Sequence, residues 1–234
     1  MVPGTFSFLV TGAGRGGTSL LGALLGSHPQ TCIGFERHIG HLMGRVPETA
    51  GSLSSRLNAF RAACDHEAGR QPKIWGNKIT TEQIAHLTLG DPFEDPQSIT
   101  RFFDYHNDLK HIFILRDGRT CVRSKVSRTG MSVASACQRW QFSARVFQQF
   151  QAGRVQGKTV KFEHLLADPI SILRQLCDFL GLTFSPDMLK GTDHPGMRPE
   201  YRRANIDPTR AELAPLSDEA VQMMEPELRL CGYI

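Results

Sequence analysis

An alternating apolar run, a glycine-rich stretch and a second apolar run follow one another between residues 6 and 26, and this succession limits the fold more than any other feature. Phe6-Ser7-Phe8-Leu9-Val10 alternates large apolar with β-prone residues, Gly12-Ala13-Gly14-Arg15-Gly16-Gly17 interrupts it, and Thr18 through Leu25 resumes as far as Gly26. The pattern reads as strand, glycine loop and helix. Four glycines in six residues cost conformational entropy unless a backbone must come close to something. The amides of such a loop, with the positive end of the next helix, form a seat for an anion. Ile112 to Leu115, closed by Arg116-Asp117-Gly118, and Thr159 to Phe162 are further short apolar runs suited to buried strands, and Thr31 to Phe35 is placed as another. Helical spacing appears at Leu53, Leu57 and Phe60, at Ile99, Phe102 and Phe103, and at Val133, Ala136, Trp140, Ala144 and Phe147. A later helix has Asp168 as cap, Pro169 in its first turn and Gly181 as its stop, and a last one begins at Ser217. Strands alternating with helices predict an α/β fold, a three-layer sandwich around a mainly parallel central sheet of about five strands, with residues 1–234 as a single domain. The segment from Gly181 to Pro215 holds Pro186, Pro195, Pro199 and Pro208 without periodicity, which predicts a long surface loop.

With 234 residues, 40% of them hydrophobic, and 27 Lys+Arg against 23 Asp+Glu, the chain has the make-up of a globular domain with a full core. No run approaches the ~18 apolar residues of a membrane span. The first positive charge is Arg15, so the apolar start lacks a cationic leader, and the expectation is a cytoplasmic protein with no membrane partner. A net charge of +4 suits an anionic ligand and is too mild to argue for nucleic acid. Six cysteines form no C-x-x-C pair and read as buried small hydrophobes; no metal site is expected.

Gly12 to Ser19 reads G-x-x-x-x-G-T-S, a phosphate loop in which Thr18 takes the place of the lysine that grips a terminal phosphate. No apolar strand ends in an aspartate placed to hold Mg²⁺. A sulfuryl group carries one formal negative charge where a terminal phosphoryl carries about two, so Arg15 and amide donors suffice for it without metal.

Gly14-Arg15-Gly16-Gly17-Thr18-Ser19-Leu20-Leu21 resembles the 5′-phosphosulfate loop of sulfotransferases that use 3′-phosphoadenosine 5′-phosphosulfate. The resemblance implies a nucleotide-kinase-like fold of the P-loop type, that donor, and binding by Arg15, Gly16, Gly17, Thr18 and Ser19. It pairs Arg116, at a strand end, with Ser124 eight residues on as the holders of the 3′-phosphate, and adds Arg128 from the same basic stretch. Within the family the chain is similar to the tyrosylprotein sulfotransferases over roughly residues 5 to 40, 74 to 81, 110 to 150 and 158 to 190. The matching stretches are Ser27-His28-Pro29 with Cys32 to Arg37, Gly76-Asn77-Lys78, Leu115 to Arg119 through Ser124 to Arg128, and Phe162-Glu163-His164-Leu165. It departs in three places: Gly16 stands where serine is usual, Phe162 where tyrosine is common, and Gly76 at the position of the disulfide partner that Cys32 would have in secretory-pathway relatives. The last difference agrees with a reducing compartment.

Transfer to a hydroxyl needs a base for its proton and cations for the departing phosphate. The resemblance assigns the base to Glu36, just beyond the strand that ends at Phe35, and the leaving-group contact to Lys78, with Arg15 acting on the transferred group. From spacing alone Glu36 reads as a surface residue paired with Arg37, and His38 and His41 are rival bases. Arg37 and His38 are the expected acceptor contacts, and Arg198, Arg202, Arg203 and Arg210, with Tyr201 among them, form an arginine-rich stretch that suits an acidic partner. The acceptor is a hydroxyl on an acidic tyrosine peptide or on a small metabolite or saccharide. An ATP-dependent phosphotransferase with a degenerate loop and a non-catalytic nucleotide-binding protein are the alternative readings.

Overall fold

The computed structural model describes residues 1–203, 205–207, 209 and 216–234. Pro208 and Arg210 lie outside the described residues, and so does the side chain of Tyr201. Five strands, β1 (Phe6–Gly12), β2 (Thr31–Phe35), β3 (Ile74–Lys78), β4 (Lys110–Leu115) and β5 (Gly157–Lys161), form one parallel sheet in the order β2-β3-β1-β4-β5. The helices are α1 (Thr18–Gly26), α2 (Ile39–Leu42), α3 (Leu53–Ala68), α4 (Thr81–Ala85), α5 (Gln97–Tyr105), α6 (Gly118–Thr129), α7 (Val133–Gln151), α8 (Phe162–Ala167), α9 (Pro169–Leu180) and α10 (Asp218–Leu230). The strand order reverses direction between β1 and β4. Open α/β sheets bind ligands at such a switch point, beyond the carboxyl ends of the strands.

The pleat sorts side chains between two cores. Phe8, Val10, Ile112, Ile114 and Val160 meet the leucines of α1, α8 and α9 on one face, while Phe6, Leu9, Trp75, Phe113 and Leu115 meet α3, α5, α7 and α10 on the other. Phe113 is fully buried, with the rings of Phe147 and Phe150 at 6.0 and 5.3 Å. Truncating it to alanine would cost about 3–5 kcal/mol. The expected caps form: Asp168 accepts from the Ser171 amide, Gly181 closes α9 in the left-handed region, and Ser217 caps α10.

Three details differ from expectation. Phe162 opens α8 rather than closing a strand, because the chain turns after Lys161 to bury its ring. β3, ending in Gly76-Asn77-Lys78, carries no apolar alternation, yet all five of its residues are buried at the second position of the sheet. The segment after Gly181 is no plain surface loop: Pro186–Asp193 winds as a 3-10 helix against α1 and buries Met188, and Met197 is buried beyond it. All six cysteines are free and five are buried; desolvation pushes the Cys121 thiol up to about 12. Gly76 lies flat against Phe8, where a Cβ would come within 2.3 Å of the ring, and it is level with Ile33 of β2, while Cys32 is level with Trp75. Among the described residues no helix is long and apolar enough to cross a membrane.

Candidate active site

The glycine loop joins β1 to α1 at the switch point. Gly17 takes φ 95° just before α1, and the Phe162 ring passes so close that a Cβ there would sit 2.3 Å from it. The loop's amides divide into two sets. The Gly16 amide donates to the Ala13 carbonyl at 2.8 Å, and the Gly14 amide donates to both carboxylate oxygens of Glu82 at 3.1 and 3.0 Å. Gly17, Thr18 and Ser19 line a cavity of about 450 Å³. They open α1, where helix amides have no internal acceptor and the dipole favours an anion.

The same cavity is lined by Arg15, Phe35, Glu36, Lys78, Thr80, Arg116, Phe162, Gly196, Met197 and Arg198. Its volume falls in the range of small-ligand sites. Glu36 is its one carboxylate among the described lining residues; the cations are Arg15, Lys78, Arg116 and Arg198. Lys78, at the end of β3, is almost wholly buried and donates from Nζ to Glu36 Oε1 at 2.5 Å, while Gln83 Nε2 donates to Glu36 Oε2 at 2.9 Å. Glu36 and Lys78 thus form an ion pair on the cavity wall.

Backbone strain concentrates here. Arg15, Glu36 and His38 have φ of 74°, 56° and 60°, and they are the non-glycine residues with positive φ among those described. Each such residue costs about 1–3 kcal/mol and persists only where neighbours impose it. At Glu36 the neighbour is Asn77. Its fully buried side chain accepts from the Arg37 amide at 3.2 Å and donates to the Arg37 carbonyl at 2.9 Å, and the Glu36 amide donates to the Lys78 carbonyl at 2.7 Å. The turn beyond β2 is therefore held on β3, and Glu36 is thrown into the cavity.

Arg116 leaves the end of β4, lays its guanidinium 4.4 Å from the Phe162 ring centroid and donates to the Arg15 carbonyl at 3.1 Å. Ser124 Oγ, on α6, accepts from Arg15 Nε at 3.1 Å. The two residues paired by the sequence therefore converge on Arg15. Glu163 anchors this corner by accepting from the Asp117 amide and from the Tyr233 hydroxyl, at 3.1 and 3.0 Å. Gly16 and Arg128 do not line the cavity; Arg128 lies exposed in the last turn of α6. Arg37 and His38 turn to Glu67 on α3, at 3.1 and 2.6 Å, and do not line it either. His41 hydrogen-bonds Thr49 instead. From the arginine-rich stretch only Arg198 reaches the cavity among the described residues.

Three residues escaped the sequence: Asn77 as the holder of the Glu36 turn, Gln83, and Glu82. Glu82 is buried beneath the loop, forms an ion pair with Lys125 of α6 and receives the Gly14 amide. Burial works against its charge, but Lys125 and the amide outweigh that and hold the carboxyl below its ordinary range. The one available signal was a capping box, Thr80 with Gln83, at the start of α4.

Comparison with known proteins agrees with this geometry. A model of the sulfotransferase family matches residues 7–186. The protein-tyrosine sulfotransferase of Drosophila melanogaster is 24% identical over 199 residues, 77% of this chain; the chain spans 39% of that relative's length. Among solved structures, the sulfotransferase domain from the curacin biosynthetic pathway matches with a TM-score of 0.67 at 17% identity, covering 98% of each chain. The sulfotransferase domain from the Synechococcus PCC 7002 olefin synthase matches at 0.63 and 19%, over 94% of this chain and 93% of that one. At these identities the structural likeness speaks for the fold.

Proposed function

The chain belongs to the sulfotransferase family, and we propose that it moves a sulfuryl group from 3′-phosphoadenosine 5′-phosphosulfate to the hydroxyl of an acceptor, as a single domain and without metal. The observation that carries this reading is the pairing of Glu36 and Lys78 in a cavity floored by the first turn of α1 and walled by Arg15 and Arg116. The donor, when bound, supplies the reactive S–O bond. The residues present fit it: amide donors at a helix start and two guanidiniums suit its anionic groups.

Within that reading, Glu36 takes the proton of the acceptor hydroxyl as the new S–O bond forms. Lys78 turns from Glu36 to neutralise the charge left on the departing phosphate, and Arg15 with the amides of Gly17, Thr18 and Ser19 stabilises the transferring group. Arg116 and Ser124 hold the 3′-phosphate, with Arg15 between them. Arg198, which lines the cavity where Arg37 and His38 do not, is the cation of the arginine-rich stretch that meets an incoming acceptor. Six free thiols suit a reducing compartment such as the cytoplasm.

The test is a mass-spectrometric screen with the sulfated nucleotide as donor and peptide tyrosine, phenol, sugar and lipid alcohols as acceptors, run in a chelator. The expected result is a gain of one sulfuryl group on one acceptor class. Donor-product binding without transfer to any class would make the chain a nucleotide-binding protein instead.

A further inference from the structure

Resting on Glu36 as the base, we infer that Gln83 is the positioning residue that holds the Glu36 carboxylate in place when Lys78 leaves it for the donor. Gln83 is buried on α4, and the backbone amide of Thr80 donates to its Oε1 at 2.7 Å. A backbone amide only donates, so this bond fixes which end of the side-chain amide is oxygen. The other end, Nε2, then faces Glu36 Oε2 at 2.9 Å as a donor. Glu36 receives one donor on each oxygen, Lys78 on Oε1 and Gln83 on Oε2, and keeps a further lone pair on each.

The two donors differ in what else they must do. Lys78 has a second partner in the reaction, whereas Gln83 is tied to Thr80 and has no other contact to make. With its side chain half-exposed, a Glu36 carboxylate released by its lysine would rotate about its χ angles unless a second contact held it. The remaining ionisable groups are accounted for. Arg15, Arg116 and Arg198 line the same cavity, Arg37 and His38 turn to Glu67, and Glu82, beside Gln83, is matched by Lys125. His194, across the Phe35 ring, is held below its usual value by burial and Arg202.

The test uses two variants. Gln83→Glu keeps an oxygen for the Thr80 amide, so the capping box and fold survive, but sets a carboxylate against Glu36. Gln83→Met keeps the volume and removes both bonds. Glu36 is followed directly by carboxyl-carbon NMR in glutamate-labelled protein, its signal assigned by Glu36→Gln, and turnover is measured with the acceptor the screen identifies. The expected result in Gln83→Glu is that one carboxyl of the facing pair, Glu36 and the introduced carboxylate, titrates above the ordinary carboxylate range, because two adjacent carboxylates share a proton. Turnover falls about tenfold to a hundredfold in both variants, with the donor KM unchanged. The absence of any raised carboxyl in Gln83→Glu, or undiminished turnover in Gln83→Met, overturns the inference. Undiminished turnover in Glu36→Gln would instead remove the base assignment itself, and the two failures are read from different variants.

Discussion

The two ends of the central sheet bury polar groups in opposite ways. Beyond the carboxyl ends of β1, β2 and β3, Glu36 meets Lys78 and Glu82 meets Lys125 as ion pairs, and the strained residues Arg15 and Glu36 stand beside them. At the other end, near the start of β4, His106 and His111 are buried and neutral. His106 Nδ1 donates to the Phe102 carbonyl and His111 Nε2 to the His106 carbonyl, each at 2.8 Å, and burial holds both down to about 4. Lys78 and the Glu82–Lys125 pair are buried while Glu36 is half-exposed, and a buried ion pair is a poor source of stability, since desolvation offsets most of the attraction. The place of both pairs beside the glycine loop fits the anionic ligand proposed for that end.

The largest expected effect separates the two ends by activity. Glu36→Gln should lower kcat by about 10²–10⁴-fold, the usual contribution of a general base, while binding of the donor product is nearly intact; comparable turnover would place the chemistry elsewhere. Next, Lys125→Met leaves Glu82 charged, buried and unmatched, which should destabilise the protein by about 3–5 kcal/mol, measured by urea unfolding at neutral pH. Removing Glu82 as well, with Glu82→Leu, should restore much of the loss. A single variant as stable as the wild type would show that the pair under the loop carries little strain.

Acid sharpens the contrast from the other side. The folded values of His106 and His111 lie below the unfolded value near 6.5, so the unfolded chain takes up protons first. Stability is therefore full above about pH 6.5 and falls as the pH drops toward about 4, by roughly 3 kcal/mol for each histidine. Unfolding measured across that window in wild type and in His111→Asn should show a shallower decline in the variant. An equal slope would assign the acid sensitivity to the carboxylates of the site.

What the sequence made legible follows the same division. The strand, glycine loop and helix could be read because Phe8 and Val10 alternate, four glycines interrupt them and leucines resume. β3 could not, because Asn77 and Lys78 are polar residues buried for what they hold, and alternation cannot register that. Gln83 and Glu82 look like the solvent face of a short helix; only α4 packing beside the loop turns them inward. Arg37 and His38 were expected as acceptor contacts; the turn fixed by Asn77 directs both toward Glu67. The prolines after Gly181 hid a segment that docks on α1 through Met188 and brings Arg198 to the cavity.

The claim that the molecule grips a nucleotide at both of its phosphate-bearing ends is tested most directly by calorimetric titration with adenosine 3′,5′-bisphosphate and with adenosine 5′-monophosphate, in a chelator, for wild type and Arg116→Ala. The wild type should prefer the bisphosphate by about tenfold or more, the worth of a hydrogen-bonded charge, and Arg116→Ala should lose that preference while still binding the monophosphate. Equal affinity of the wild type for both nucleotides would contradict the account.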